Sequence, residues 1–193
     1  MNNEYLEVVE KAKLLGVIIT NDLKWDDNTA ELVRRSNARL ALLRKVASFS
    51  SSIEDMKLIY ILYIRSILEQ SCVVWHSRLT VENTDDIEII QKCALKIILG
   101  NKYKTYEQAL EITDLQTLNE RREQLCLSFA KKCLNNPKTK SMFQLQEKIH
   151  QMPKRKEETF LVNHANTKRL QISSIPYMQR LLNQDKQTMK DPG

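Results

Sequence analysis

Ile53-Glu54-Asp55-Met56-Lys57-Leu58-Ile59-Tyr60-Ile61-Leu62-Tyr63-Ile64-Arg65-Ser66-Ile67-Leu68-Glu69-Gln70 is the stretch on which the reading of this chain turns. Its apolar residues (Met56, Leu58, Ile59, Ile61, Leu62, Ile64, Ile67, Leu68) occupy nearly every side of a helix. A helix without a wet face is a buried one, so the segment is expected to be the spine of a helical fold. Ser50-Ser51-Ser52 interrupts the chain before it, and Ser51 or Ser52 is placed to cap it, with Glu54 or Asp55 completing a capping box. Arg65 and Glu69 stand four apart and are expected to pair.

Upstream, a first long helix is predicted from Asp27 or Asn28 to about Ala47, with Asn28 and Glu31 spaced as a capping box. Leu32, Val33, Ser36, Leu40, Leu43 and Ala47 fall on one side of it. Arg34, Arg35 and Lys45 fall roughly opposite, with Arg39 on the flank. Before that helix, Ala12 to Thr20 is rich in β-branched residues and stops at Asn21-Asp22. It reads as a strand with a short return at Leu23-Lys24-Trp25. Gly16 inside it marks a bulge or a close approach by another group.

Downstream, Cys72-Val73-Val74-Trp75-His76 ends the spine. Thr84-Asp85-Asp86 is expected to open a third helix with Ile87, Ile90, Ala94 and Ile97 on one face, stopped by Gly100. Thr105 with Gln108 caps a short helix through Ile112. Asp114 then begins another, with Leu115, Leu118, Leu125, Phe129 and Cys133 in register up to Asn135-Asn136-Pro137. Beyond Pro137 apolar residues thin out until Ile172 to Leu182, which regains a helical rhythm. The expected fold is therefore mainly α: a helical bundle with a short N-terminal strand or hairpin and a loosely structured C-terminal extension. The expected divisions are 1–25 (strand motif), 26–136 (helical domain) and 137–193 (basic extension).

Three glycines and four prolines in 193 residues are too few for an all-β fold or a Gly-rich phosphate loop. Net charge is +6. Residues 1–33 hold three basic and seven acidic side chains, residues 34–80 eight and three, and residues 137–193 eleven and five. Two basic blocks around a near-neutral middle suit a polyanion-binding surface. The four cysteines form no close pair, so neither a zinc site nor another cofactor is expected. No charged-then-apolar leader is evident, and the apolar run Leu58 to Ile64 is too short for a bilayer, so an intracellular protein, nuclear or cytoplasmic, is expected.

Asp26-Asp27 and Asp85-Asp86 each precede an expected helix, where negative charge serves the N-terminus rather than a two-metal site. His76, His150 and His164 are scattered, and no nucleophile, triad or small-molecule pocket is legible. Trp75 is expected to anchor packing rather than stack on a base. The basic residues remain. Arg34, Arg35, Arg39, Arg44 and Lys45 on one rigid helix suit contacts with backbone phosphates. Arg121 and Arg122, beside Glu120 and Glu123, are better read as a solvated face with internal ion pairs.

Lys13-Leu14-Leu15-Gly16-Val17 followed by Asn21-Asp22-Leu23-Lys24-Trp25 resembles the strand motif that closes the palm of jockey-like non-LTR retrotransposon reverse transcriptases. Further similar segments follow in that family's order: Asn37-Ala38-Arg39-Leu40 with Leu43-Arg44, Ile64-Arg65-Ser66-Ile67-Leu68-Glu69, Val74-Trp75-His76, and Ile89-Ile90-Gln91-Lys92-Cys93-Ala94-Leu95-Lys96-Ile97-Ile98. Tyr106-Glu107-Gln108-Ala109-Leu110, Leu118-Asn119-Glu120-Arg121-Arg122-Glu123-Gln124-Leu125 and Ile175-Pro176-Tyr177-Met178-Gln179-Arg180-Leu181-Leu182-Asn183 complete the series. It covers residues 12–183.

The resemblance implies that Leu14, Leu15 and Gly16 are primer-grip-like and that the helices after them are thumb-like, riding on a template–primer or RNA–DNA duplex. The parent activity would be RNA-directed DNA polymerisation. The palm's paired aspartates, the fingers and any endonuclease are missing from this sequence, so the chain is expected to be inactive alone. Missing parts would come from another chain. The other expectation, of a different class, is a helical protein-interaction module or an inert remnant of an element copy.

Overall fold

The computed structural model describes residues 9–49, 52–143, 160, 162 and 167–188. The fold is mainly helical, with one two-stranded antiparallel sheet near the N-terminus. In chain order the elements are β1 (Lys11–Leu14), β2 (Val17–Thr20), α1 (Asp26–Ala47), α2 (Ile53–Leu68), α3 (Cys72–Trp75), α4 (Val81–Leu99), α5 (Tyr106–Thr113), α6 (Leu118–Asn135), α7 (Pro137–Lys140), α8 (Lys168–Gln171) and α9 (Ser174–Thr188). They form two compact units. The first takes the described residues of Met1–Ser71 and Leu79–Asn119; the second takes those of Cys72–Arg78 and Glu120–Gly193. Among the described residues no single helix is long and apolar enough to cross a membrane.

The single strand expected over Ala12–Thr20 is a hairpin. Leu15 (φ 50°) and Gly16 (φ 83°) both take positive φ, the requirement of a two-residue turn whose twist matches its strands. Lys11 pairs with Thr20, Ala12 with Ile19, Lys13 with Ile18 and Leu14 with Val17. The expected return at Leu23-Lys24-Trp25 does not form. Thr20 and Asp22 close a turn there instead, with the Asp22 carboxylate accepting from the Lys24 N–H at 3.1 Å.

Helix α1 starts at Asp26, earlier than the Asn28 cap expected, because Asn28 is used elsewhere: its Oδ1 accepts the Ile18 N–H at 3.1 Å. Asp26 and Asp27 lie in its first turn, where their charge suits the helix dipole. Leu32, Ser36, Leu40 and Leu43 form its buried face, packed on α4 and α2 alike. Tyr60, Ile64 and Leu68 of α2, and Ile87, Ile90, Ala94 and Leu95 of α4, complete this core. Each fully buried aliphatic side chain contributes on the order of 1.5–3 kcal/mol.

Helix α2 corrects the expectation of a helix buried all round. Ser52 caps it as read, accepting from the Asp55 N–H at 3.1 Å, and Arg65 meets Glu69 at 3.4 Å. Over Tyr60–Arg65, however, the backbone widens into a π-turn. Leu58, Leu62 and Tyr63 are each more than half exposed. Composition could not reveal this, because an apolar side chain is recorded in the sequence whether or not a neighbour covers it.

Helix α4 begins at Val81, capped by Thr80, so Asp85 and Asp86 sit inside its first turns rather than opening it. Within the first unit, α4 carries a buried polar network. The Tyr60 hydroxyl donates to Gln91 Oε1, and Gln91 Nε2 donates to the Tyr106 hydroxyl and the Gln116 carbonyl, both at 2.8 Å. The Tyr106 hydroxyl in turn donates to Glu88, which also accepts the Leu118 N–H at 3.0 Å. Burial holds both tyrosines well above the ordinary phenol range, with Glu88 adding to the effect, so they remain donors. Asp114, expected to start a helix, ends α5 instead in the left-handed conformation (φ 49°, ψ 48°), and α6 starts at Leu118.

In the second unit the buried positions of α6 are Arg122, Cys126, Ala130 and Cys133. Phe129, expected in register, is 42% exposed. Cys126, Ala130 and Cys133 join Phe143, Phe160, Met178, Leu181 and Leu182 in one apolar cluster. The apolar rhythm read over Ile172–Leu182 is thus helix α9 delivering Met178, Leu181 and Leu182 to a core. Asn183 brackets Phe160, accepting its N–H at 2.8 Å and donating to its carbonyl at 3.1 Å. The Lys154-Arg155-Lys156 run, with the rest of 144–159 and residues 161, 163–166 and 189–193 of the expected basic extension, lies outside the described residues.

Candidate nucleic-acid interface

The five cations expected on α1 do not behave alike. Arg34 makes a two-pronged bond to Glu31, Nε to Oε2 at 2.8 Å and Nη2 to Oε1 at 3.1 Å. Lys13 reaches the same carboxylate at 3.9 Å. Together they hold the Glu31 carboxyl below its ordinary range, the Arg34 hydrogen bond being the larger cause. A solvent-screened pair of this kind is weak, so an incoming anion can displace Glu31 at small cost. Lys11 is similarly met by Asp27 at 3.5 Å. Acidic partners therefore moderate the N-terminal half of α1.

Arg35, expected on the outer face, is half-buried. Its Nη1 donates to Gln70 Oε1 at 3.1 Å. Arg39, Arg44 and Lys45 are exposed and make no ion pair among the described residues. The Arg39 guanidinium lies 6.0 Å from the centre of the Tyr63 ring, the outer limit of a cation–π contact. The available positive charge thus gathers towards the C-terminal half of α1. Arg44 and Lys45 also suit the negative end of the helix dipole, which is their ordinary structural use.

Leu14, Leu15 and Gly16, expected to be primer-grip-like, form the tip of the hairpin. Leu14 is 60% exposed and Leu15 87%. That tip is tied to the helices from two sides. Gln70 Nε2 donates to the Leu15 carbonyl at 3.3 Å while its other end holds Arg35, and Asn28 receives the Ile18 N–H. A Cβ at Gly16 would stand 2.4 Å from Gln70 Nε2, so the close approach read from the sequence is the approach of this amide. Gln70 escaped sequence reading because its partners are remote, and Asn28 was assigned to a helix cap rather than to the hairpin. At the hairpin's base the Asp22 carboxyl is drawn down to about 2, mainly by the Thr20 hydroxyl and the Lys24 N–H.

The second unit contributes no phosphate contact from Arg122. Read as part of a solvated face, it is fully buried: its guanidinium lies 5.9 Å from the Trp75 ring centre and its Nε donates to His76 Nδ1 at 3.3 Å. The Tyr177 ring meets His76 edge-on at 5.8 Å. Burial, with the Arg122 charge second, pushes His76 down to about 4. Trp75 is buried as a packing anchor. Cys126 is pushed upward by the Cys72 thiol beside it and by burial, which keeps it from acting as a nucleophile.

No family model, curated protein or solved structure matches this chain.

Proposed function

We propose that this chain is a non-catalytic C-terminal piece of a non-LTR retrotransposon reverse transcriptase that grips a template–primer or RNA–DNA duplex. The observation that carries the reading is the coupling of the hairpin tip to the cationic helix. Gln70 bonds Arg35 of α1 and the Leu15 carbonyl together. A tip bearing exposed Leu14 and Leu15 is thereby held in fixed relation to Arg34, Arg39, Arg44 and Lys45. Phosphate contacts from a rigid helix position a duplex without reading its sequence. The order of family-like segments along residues 12–183 supports the same reading. Polymerisation is not assigned to these residues, because the paired aspartates present here lie in the first turns of helices.

The test is fluorescence anisotropy with a labelled RNA–DNA duplex, comparing wild type with Arg39→Glu/Arg44→Glu/Lys45→Glu. Loss of three phosphate contacts and reversal of their charge should weaken binding by at least about a hundredfold at moderate salt. Equal binding by the two proteins would remove α1 as the contact surface. A second reading, a protein-interaction module, is favoured by the exposed Leu58, Leu62 and Tyr63; it predicts little dependence of partner binding on salt.

A further inference from the structure

Helix α2 presents a face that its own unit leaves uncovered. Leu58 is 54% exposed, Leu62 58% and Tyr63 51%. Single exposed leucines are ordinary, but large apolar side chains adjoining at helical spacing are a patch, and patches mark contact surfaces. The pairs Arg35–Gln70 and Arg39–Tyr63 run in opposite senses along the two helices, so α1 and α2 are antiparallel. Leu42, 42% exposed and one turn beyond Arg39, therefore extends the patch beside the stripe of α2. A phosphate backbone gains nothing from covering leucine, so duplex binding leaves this face unexplained.

The charges along the stripe supply the partner. Glu54, Leu58 and Leu62 follow at four-residue spacing, and Asp55 stands beside Glu54. One end of the patch is therefore acidic. The other end, at Tyr63, carries Arg39. Such an arrangement is self-complementary: rotated about a two-fold axis between Leu58 and Leu62, the acidic end meets the basic end and leucine meets leucine. Glu54 already touches the half-buried Lys57 at 3.6 Å, but Glu54 itself is exposed, and a pair with one partner in water is weak enough to be exchanged.

We propose that the exposed face of α2, with Leu42 and Arg39 of α1, is a symmetric interface with a second copy of this chain. The α2 helices of the two copies lie antiparallel, Leu58 and Leu62 form the apolar centre, and Glu54 of each copy faces Arg39 of the other. The interface goes beyond the duplex-binding reading and does not depend on it. A centre of this size gives a weak dimer, with a Kd on the order of micromolar.

Sedimentation of the wild-type chain without nucleic acid tests it, over a series from submicromolar to submillimolar protein. A monomer–dimer equilibrium is expected. Leu58→Glu/Leu62→Glu should remain monomeric with an unchanged helical circular-dichroism spectrum. Glu54→Arg and Arg39→Glu should each weaken the dimer about tenfold or more, and the two combined should restore it, since each contact is then rebuilt with its charges reversed. A wild type that stays monomeric throughout the series overturns the proposal and leaves the face to a different partner. A dimer indifferent to Leu58→Glu/Leu62→Glu overturns it as well.

Discussion

Gly16 and Gln70 show how much one contact can organise. Only glycine takes φ of 83° without strain, and here the missing Cβ also leaves room for the Gln70 amide. Gly16→Ala is therefore expected to destabilise the hairpin by about 1–2 kcal/mol through backbone strain, with Gln70 swinging aside. Faster amide exchange across Lys11–Thr20 would report it; unchanged protection would mean that the tip is not held as described. The sequence pointed to Gly16 as a place of close approach and left its partner unnamed, because the partner is 54 residues away. Arg122 was misread for a related reason. Its neighbours Glu120 and Glu123 suggested a wet face, whereas its partners Trp75 and His76 come from a distant segment.

His76 gives the residue scale a pH dependence. Its folded-state value, about 4, lies below the 6.5 of the free side chain. Between those values the unfolded chain binds a proton that the folded one refuses. The stability contributed by neutral His76 is thus complete above about pH 6.5 and is lost as pH falls towards 4, up to about 3 kcal/mol in all. Urea unfolding at pH 7 and pH 4.5 should reveal that loss in wild type, and His76→Gln should remove this part of the slope. An identical slope in the variant would count against a buried neutral histidine.

Among the elements, helix existence was legible and helix faces less so. α1, α2, α4 and α5 were readable from their periodicity and breaks, and Ser52 and Thr105 cap as their spacing indicated. The start of α1 was misplaced because Asn28, a good cap by residue type, serves the hairpin instead. The outward face of α2 was not legible because apolar residues occupy nearly every side of the helix, and which side a neighbour covers is not written in its composition. The network around Gln91 belongs to this scale too, since it joins α2, α4 and α5. Tyr60→Phe would strand the Gln91 carbonyl oxygen in the core and is expected to cost about 1–3 kcal/mol by urea denaturation. A variant as stable as wild type would show that this oxygen finds another donor.

For the whole molecule, the first unit gathers both features that the duplex-binding reading uses: the hairpin tip and the cations of α1. The basic helix was legible from composition along the chain. Its division into Arg34 paired with Glu31, Arg35 committed to Gln70, and Arg39, Arg44 and Lys45 left open was not, because pairing depends on which carboxylates and amides lie within reach. A mainly apolar contact and a phosphate contact respond oppositely to salt. That difference makes one titration the most direct test of the central claim: the affinity of the folded wild-type chain for an RNA–DNA duplex across a salt series. Three or four phosphate contacts predict that log K falls against log salt with a slope on the order of −3. A flat line, or no binding by protein whose helical spectrum is intact, would contradict the account.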